Sequence, residues 1–386
     1  MGSPECRGFN YGTGVPAGSP TGHIPRLNCL HWRTRCIFIP YPWTGDQGGP
    51  IIKQELCRYA MPHRGEILIK TTITTLTMAP SLDQYVETDH LVEDAKTRCS
   101  VSAREPGGGG INVARNLHSL GETVLAIFPG GGGNGEAIER MLREESVPCR
   151  RIAIDQSTHQ NLALTETASG RMFHLVFTGA ALSEAQWRAC QGAVLQACDS
   201  RGYLVLSGSL APGVPDDFYG RLASEARQKG TRVVLDAAGP SLEPALASGV
   251  YLAKINPEEL AQLGYTGDWQ AESQLAFMEE RVRAGAAQLL VVTRGDKGAL
   301  MVTASGARLQ ASPPKVKVVN HLGAGDSFVS LMIHHLANGS SEAQALAYGV
   351  AAAAAAISSP GNRVPGRETV EALFAGVKVE RTNLRH

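Results

Sequence analysis

The chain has 386 residues, its 36 Lys and Arg are balanced by 36 Asp and Glu, and hydrophobic residues make up 43% of it. This length is ample for a large α/β core, and the zero net charge gives no basic field for nucleic acid or a membrane surface. No apolar run approaches the roughly 18–20 residues of a membrane span. The eight cysteines form no CxxC pair, which favours reduced thiols in a cytoplasmic protein over disulfides or a zinc site.

Residues 1–65 differ from the rest of the chain in composition and in hydrophobic pattern. Sixteen of the first 50 residues are Gly or Pro, and the apolar residues follow neither a helical nor a strand period. We expect a low-complexity, disordered extension or a start codon assigned too early, with an organelle transit peptide as a less favoured alternative. We assign this segment no function.

From Glu66 onward, short β-rich runs alternate with helical patterns. The runs are "ILIKTTITTLTM", "TVLAIF", "YLVLSG", "RVVLDAAG", "YLAKIN" and "QLLVVTRG". This rhythm predicts one α/β domain over residues 66–378, with a mostly parallel central sheet and helices on both faces, followed by a tail at 379–386. Ligands of such sheets bind beyond the carboxyl ends of the strands, so the loops that enter the helices are where the chemistry is expected.

Two stretches, 83–105 and 161–177, alternate polar and apolar residues instead. The second has Ser169-Gly170 at its middle, a good hairpin turn. We predict a small β lid outside the main sheet. Because exposed strand edges need a partner, this lid also predicts a homodimer.

The next motif along the chain is "EPGGGGINVARNLHSLG", residues 105–121. Four consecutive glycines cost about 1 kcal/mol each relative to Ala in regular structure, so their expected use is close approach of a ligand to the backbone. Asn112 and Arg115 follow in the first turns of a helix, available to sugar hydroxyls or phosphate. The alternative is a flexible loop. Asp83, in "APSLDQYVE", is either an ordinary turn residue or a further ligand for polyol hydroxyls.

Two strand ends carry nucleotide-site candidates. "KINPEEL" brings Lys254, Asn256 and Glu259 to the functional edge of the sheet, where Asn and Glu can organise hydrated Mg²⁺. The same residues also make a good helix start with a cap and Pro at the first position. "TRGDKGAL", residues 293–300, is a loop beneath a nucleotide or an ordinary hairpin turn.

The last motif, "GAGDSFVSLMIHHLAN", places three small residues directly before Asp326 and an apolar helix pattern. Gly323, Ala324 and Gly325 can turn free amides towards an anion, aided by the positive end of the helix dipole. Asp326 is then positioned to take a proton from a substrate hydroxyl, a combination that suits phosphoryl transfer. The alternative is that Asp326 simply caps the helix.

Taken together and in this order, these motifs resemble those of the ribokinase-like (PfkB-type) carbohydrate kinases. "APSLD", "EPGGGGINVAR", "IFPGGG", "GAAL" and "LSGSLAPGV" look closest to the ribokinase-type bacterial 6-phosphofructokinases, and the resemblance covers about residues 66–375. Sugar-1-phosphate kinases of this branch usually carry Lys where this chain has Gly109. The resemblance therefore implies a glycolytic kinase that phosphorylates fructose 6-phosphate at its C1 hydroxyl, using ATP and Mg²⁺ and working as a dimer through the lid.

The resemblance also implies roles for individual residues. Asp326 would be the base, and Gly323, Ala324 and Gly325 the anion hole. The sugar would be held by Asp83, Gly108, Gly109, Asn112 and Ser209, with Lys96, Arg98 and His159 near its phosphate. ATP and Mg²⁺ would meet Lys254, Asn256, Glu259, Thr293, Gly295 and Gly298. A monovalent cation, K⁺, would lie behind the anion hole within a shell of Asn320, Leu322, Ala356, Ser359, Gly361 and Arg363.

One departure from the family affects substrate binding. Similar phosphofructokinases carry Arg where this chain has His159, and a His with a pKa near 6.5 is mostly neutral at neutral pH. We expect weaker sugar-phosphate binding that improves as pH falls, or a changed substrate. A tagatose 6-phosphate kinase or another ketose-phosphate kinase is the nearest alternative. A non-catalytic sugar-phosphate-binding regulator is the second, although a pure sensor has no need of a base.

Overall fold

The computed structural model describes residues 71–320, 322–359, 361 and 366–383. The extension predicted at 1–65 lies outside these residues, as do 384–386. All described residues belong to one compact unit that spans Glu66–His386.

Fourteen strands and ten α-helices make up the described part of the chain. The strands are β1 (Thr72–Leu76), β2 (Ser81–Thr88), β3 (Ser100–Gly107), β4 (Thr123–Gly130), β5 (Cys149–Ala153), β6 (Gln160–Glu166), β7 (Arg171–Leu175), β8 (Tyr203–Ser207), β9 (Arg232–Asp236), β10 (Val250–Ile255), β11 (Ala287–Thr293), β12 (Ala299–Thr303), β13 (Ala307–Ser312) and β14 (Lys378–Asn383). The helices are α1 (Gly109–Ser119), α2 (Gly132–Glu144), α3 (Glu184–Ala197), α4 (Phe218–Gln228), α5 (Leu242–Ala247), α6 (Pro257–Gln262), α7 (Ala271–Arg283), α8 (Ala324–Ala337), α9 (Glu342–Ile357) and α10 (Arg367–Phe374).

Ten of these strands form one large sheet in the order β14-β13-β12-β11-β10-β9-β8-β1-β4-β5. The strands from β5 to β11 in this order pair in parallel, so the predicted parallel sheet is confirmed. The hydrophobic runs predicted as strands are β1, β4, β8, β9, β10 and β11.

The sheet ends in three antiparallel strands that the sequence pattern did not predict. β12 pairs with β11, β13 with β12 and β14 with β13. The predicted boundary at residue 378 is therefore wrong, because residues 379–383, assigned to a tail, belong to the edge strand β14. Its sequence KVERTN is largely polar, since an edge strand buries little, and so it gave no strand signal.

Helices cover both faces of the large sheet, and strand alternation shows why. Leu204 and Leu206 of β8 join a core with residues of α3 to α7, such as Trp187 and Met278. Tyr203 and Val205 point to the other face and join a second core with residues of α1, α2, α8 and α9. Strands buried on both faces are therefore largely apolar in sequence, as the "YLVL" run of β8 is.

The predicted lid is a separate four-stranded sheet in the order β3-β2-β6-β7. β2 and β6 run parallel, while β3 and β7 flank them in antiparallel directions. Gly170 adopts the left-handed φ of 72° in the turn between β6 and β7, which confirms the predicted hairpin. Within the described ranges, none of the helices has the length and apolar character to span a membrane.

Candidate active site

A cavity of about 480 Å³ lies between the small sheet and the carboxyl ends of the central strands. Its wall is formed by the loop after β1, the pocket-facing side of the small sheet, the glycine loop before α1, the loop after β8 and the start of α8. The predicted site residues that line it are Asp83, Gly108, Gly109, Asn112, His159, Ser209, Leu322, Gly323 and Asp326. The fold thus gathers residues that lie more than 200 positions apart in the sequence.

Asp326 lies at the bottom of this cavity, in the first turn of α8. The helix cap is Gly323, in the left-handed conformation with φ 68°, so the alternative that Asp326 is the cap is wrong. The Asn112 amide donates a hydrogen bond of 2.9 Å from Nδ2 to Oδ2 of Asp326. Burial, followed by the nearby negative charge of Asp236, raises the pKa of Asp326 to about 7 although Asn112 and Lys254 oppose the shift. A carboxylate with this pKa suits general-base work at neutral pH.

The glycines before α1 are required by close approach of the chain's own groups. A Cβ on Gly107 would overlap the carboxylate of Asp83, and one on Gly109 would overlap the hydroxyl of Ser207 and lie 3.2 Å from Oδ1 of Asp326. A Cβ on Gly110 would lie 2.6 Å from the carbonyl oxygen of Leu76. The loop therefore passes tightly between the two carboxylates, so that both face the same cavity.

Asp83 is held in place by two donors on the small sheet. Ser81 donates from Oγ to Oδ1 at 2.6 Å, and Asn161 donates from Nδ2 to the same oxygen at 3.2 Å. Because these bonds use one carboxylate oxygen, Asp83 presents a fixed orientation to the cavity. Asn161 also lines the cavity and was not predicted.

Lys254 forms a buried ion pair with Asp236, which the sequence analysis missed. The distance from Nζ to Oδ1 is 2.7 Å, and the side chains are 10% and 11% exposed. Burial opposes the charge on Lys254, but the attraction of Asp236 outweighs it and raises the lysine pKa. Nζ lies 3.1 Å from the position of a Cβ on Gly325, so the ammonium stands beside the first turn of α8. The sequence does hint at this ion pair. Asp236 is the last residue of the predicted strand "RVVLD", and this strand pairs with the one that carries Lys254.

Asn256 and Glu259 form a reciprocal helix cap at the start of α6. Asn256 Oδ1 accepts from the Glu259 backbone at 2.8 Å, and Glu259 Oε2 accepts from the Asn256 backbone at 2.8 Å. The helix-cap alternative is thus what the structure shows. No group of three or more His, Cys, Asp or Glu side chains within the described ranges could hold a metal ion. The two capping residues fit Mg²⁺ only as contacts made through its water shell.

The 293–300 segment is a tight turn between the antiparallel strands β11 and β12, as the hairpin alternative proposed. Thr293 Oγ1 donates to the Ile255 carbonyl at 3.3 Å, which ties the ends of β11 and β10 together. Gly298 has a φ of 77° and packs so closely on the carbonyl of Ala311 that a Cβ would overlap it. Gly295 also has a positive φ, 59°. The nucleotide role of these residues stays a prediction.

Lys96 and Arg98 do not line the cavity of this single chain. Both are exposed on the loop between β2 and β3. Arg98 lines a separate, shallow depression with Glu87, Asp89 and Thr167. The place beside the sugar phosphate that the family resemblance implies for these two residues stays a prediction.

The loops expected to hold a monovalent cation do come together. Asn320 Nδ2 donates to the Ser359 carbonyl at 2.5 Å, and its Oδ1 accepts from the Leu322 backbone at 2.7 Å. Gly361 follows with a φ of 87°, and Ala356 lies in the last turn of α9. Arg363 lies outside the described residues. The Asn320 side chain therefore connects the loop before α8 to the loop after α9 by hydrogen bonds.

A carboxylate at a glycine-rich helix start, a buried lysine beside the same turn and a polar cavity above them form the arrangement expected of a phosphotransferase of the carbohydrate-kinase class. The profile of the "pfkB family carbohydrate kinase" matches residues 77–369. The chain is 39% identical over 304 residues to ATP-dependent 6-phosphofructokinase isozyme 2 of Escherichia coli (strain K12), which covers 78% of this chain and 98% of that protein. It is 31% identical over 311 residues to 1-phosphofructokinase of Bacillus subtilis (strain 168), covering 80% of this chain and 99% of that protein.

A solved structure has the same fold. Phosphofructokinase-2 from Escherichia coli in complex with potassium superposes with a TM-score of 0.76 at 38% identity, over 79% of this chain and 98% of that chain. The protein belongs to the pfkB family of carbohydrate kinases, and the predicted ribokinase-like fold with its small extra sheet is confirmed.

Proposed function

We propose that this protein is an ATP-dependent 6-phosphofructokinase, which transfers the γ-phosphoryl group of ATP to the C1 hydroxyl of fructose 6-phosphate. The products are fructose 1,6-bisphosphate and ADP. The observation that carries the proposal is Asp326, which faces the cavity at the start of α8 and has a pKa raised to about 7. The higher identity to a 6-phosphofructokinase, 39%, than to a 1-phosphofructokinase, 31%, supports this choice of sugar.

The proposed mechanism gives each of these residues a role. Asp83, oriented by Ser81 and Asn161, holds the sugar hydroxyls so that the C1 hydroxyl faces Asp326. Asp326 accepts the hydroxyl proton, and the resulting alkoxide oxygen forms its bond to the γ-phosphorus while the bond to the ADP oxygen breaks. The amides of the first turn of α8 and the Lys254 ammonium stabilise the negative charge on the transferred group. Mg²⁺, when bound, neutralises charge on the ATP phosphates, with Asn256 and Glu259 placed to hold it through water.

The first experiment is a coupled ADP-release assay on the full chain with ATP and Mg²⁺. It compares fructose 6-phosphate, tagatose 6-phosphate, fructose 1-phosphate and fructose at equal concentrations. A clear preference for fructose 6-phosphate is expected. Preference for tagatose 6-phosphate or fructose 1-phosphate would replace the proposed substrate by that of a sister kinase. Absence of turnover in a folded, ATP-binding protein would favour the regulator alternative.

The substitution His159→Arg is expected to lower the KM for fructose 6-phosphate and to flatten its pH dependence. Burial lowers the pKa of His159, against the attraction of Asp83, so the imidazole is charged only below its ordinary value of 6.5. In the native protein the KM should therefore fall as pH decreases below 6.5, whereas Arg stays charged throughout. Steady-state kinetics across this range test the effect, and the variant controls for titration of the substrate phosphate itself. Equal KM values for both proteins at every pH would contradict a phosphate role for His159.

We further propose that the small sheet forms a homodimer interface. Large apolar side chains on and beside it are exposed, including Val101 at 50%, Met172 at 42% and Phe177 at 51%. Exposed apolar side chains on the small sheet indicate a protein partner, and the open edges of this sheet favour a second copy of it. The double variant Val101→Glu/Met172→Glu is expected to shift the protein from dimer to monomer in light scattering coupled to size-exclusion chromatography. An unchanged mass, or a native protein that is already monomeric, would refute this interface.

The loops joined by Asn320 are the proposed place for K⁺, with backbone carbonyls near Ser359 and Gly361 as the oxygen ligands. The homologous Escherichia coli enzyme has been solved in complex with potassium, which supports the assignment. The ion would stabilise the two loops and, through them, the start of α8. It would thereby hold the anion hole of Gly323, Ala324 and Gly325 in place without contacting the substrate.

A further inference from the structure

Two buried polar side chains connect α1 to the helix that carries Asp326. Asn116 of α1 is 2% exposed, and Ser330 of α8 is 0% exposed. The Asn116 amide donates a hydrogen bond from Nδ2 to the Ser330 hydroxyl at 3.3 Å, and that hydroxyl donates to the backbone carbonyl of Asp326 at 2.6 Å. A chain of hydrogen bonds therefore runs from α1 through Ser330 to the backbone of the proposed base.

This chain is the second of two polar connections between the same helices. In the first, Asn112 donates to the carboxylate of Asp326 at 2.9 Å. Asn116 follows Asn112 by four residues, just as Ser330 follows Asp326 by four. Residues four apart lie on the same face of a helix, one turn along. The two asparagines thus contact α8 at two successive turns, which fixes both its rotation and its position along α1.

The surroundings of the Asn116–Ser330 pair are apolar. The neighbouring residues Leu117 of α1 and Val329 of α8 belong to one buried hydrophobic core, and α1 packs directly against α8. An apolar pair could fill this point without the cost of removing two polar groups from water. Buried polar side chains between helices can instead specify one alignment, as a single buried Asn does in a coiled coil. The pair is therefore better explained by the alignment of α8 than by stability.

We propose that Asn116 and Ser330 are positioning residues, which fix the alignment of α8 on α1 and so hold the Asp326 carboxylate in place for proton transfer. This inference rests on the proposed role of Asp326 as the base. Neither Asn116 nor Ser330 lines the cavity, so both act through Asp326 rather than on the substrate. Proton transfer requires the base within hydrogen-bond reach of the hydroxyl, and a displacement of about 1 Å can lower turnover by about 10²-fold.

The test compares Ser330→Ala with the native protein in steady-state kinetics as a function of pH. We expect kcat to fall about tenfold and the KM values for sugar and ATP to stay within about twofold, because the groups that contact the substrates are unchanged. The pH limb of kcat/KM should move to higher pH, since a looser Asn112 contact lowers the pKa of Asp326 less. The other charged groups that face Asp326 are Asp83, Asp236 and Lys254, and the substitution leaves them in place.

The double variant Asn116→Leu/Ser330→Ala separates positioning from stability. With both polar groups replaced, its melting temperature should lie above that of Ser330→Ala, whereas kcat should stay low. The matched control is Ser248→Ala, which removes a bond of the same length, 2.6 Å, from a serine hydroxyl to a helix carbonyl at the end of α5. Ser248 does not line the cavity, so kcat and the pH limb should keep their native values in this control.

Two results would overturn the proposal. One is a native kcat with an unmoved pH limb in Ser330→Ala, and the other is recovery of kcat together with the melting temperature in the double variant. If Ser330→Ala does not fold, the double variant carries the same kinetic test.

Failure of the proposed function gives a different result. If the native protein prefers another sugar, the same comparison with that sugar still tests the pair. If it turns over no sugar, crystal structures of the native protein and Ser330→Ala decide, since a distance between Asn112 Nδ2 and Asp326 Oδ2 that stays at 2.9 Å would refute the positioning role.

Discussion

Replacement of Asp326 by Ala or Asn is expected to lower kcat by about 10²–10⁴-fold, the usual worth of a positioned general base. The KM for fructose 6-phosphate should change little in Asp326→Asn, because the amide keeps the shape of the carboxylate in the cavity. The ADP-release assay measures both constants. Near-native turnover in either variant would mean that another group accepts the proton and that the proposed mechanism is wrong.

Ionisation of Asp326 should also make both the activity and the stability of the native protein depend on pH. Asp326 acts as a base only when ionised, so kcat/KM should rise with pH through a limb near the pKa of about 7. The folded protein binds this proton more tightly than the unfolded chain, for which the pKa is 3.8. The stability that protonation provides is therefore complete below about pH 4 and is lost as pH rises through 7.

Asp326→Asn cannot ionise and so does not lose stability as the pH rises through 7. This variant therefore tests the predicted effect of Asp326 ionisation on folding. The variant should melt at a higher temperature than the native protein at pH 8, and the difference should shrink towards pH 5. A lower melting temperature at pH 8 would show that the Asn112 contact, rather than burial of charge, dominates at this position.

The strands and layers of the fold were predictable because their physical signal is local. Runs such as the "YLVL" of β8 are continuously apolar, a pattern typical of a strand covered on both faces. The edge strand β14 carried no such signal, since KVERTN is held by pairing with β13 at a distance of some seventy residues in the sequence. Pairing at an edge depends on backbone hydrogen bonds, which any sequence can make.

Parts of the candidate site could be predicted where a motif concentrates unusual backbone demands. The four glycines and the Gly-Ala-Gly before Asp326 are costly anywhere else, so their presence indicates a site. Residues whose role comes from tertiary contact were not predictable in this way. Asp236 reads as an ordinary strand end until the sheet brings it to 2.7 Å from Lys254. Conversely, the family resemblance implies a phosphate role for Lys96 and Arg98, and this role stays a prediction because neither residue lines the cavity of the single chain.

A second glycine run, in "PGGGGNGE" at residues 129–136, has a structural role in this fold. The run at 131–135 opens α2 and packs against the segment before His159. The backbone of Gly131 accepts from Thr158 at 3.0 Å and donates to its Oγ1 at 3.1 Å. Asn134 adds a bond of 2.8 Å to the Thr158 carbonyl. This second glycine run therefore fixes the approach of β6 to the cavity and need not touch a ligand.

Lys254→Met is expected to have the second largest effect, on both turnover and stability. Loss of the ammonium beside the first turn of α8 should lower kcat by about 10²–10³-fold, as for other groups that stabilise charge in the transition state. The same change leaves Asp236 buried without its partner, which costs about 3–5 kcal/mol of unfolding free energy. Chemical denaturation and the ADP-release assay measure the two effects on the same preparation.

The double variant Lys254→Met/Asp236→Leu separates these effects. With both charges removed, most of the lost stability should return, because an apolar pair of similar size has no charge to desolvate. Turnover should stay low if Lys254 acts on the transferred phosphoryl group. Lys254 lowers and Asp236 raises the pKa of Asp326, so the limb of the kcat/KM profile should move to higher pH in Lys254→Met and return in the double variant. Recovery of turnover together with stability would instead show that Lys254 serves only to neutralise Asp236.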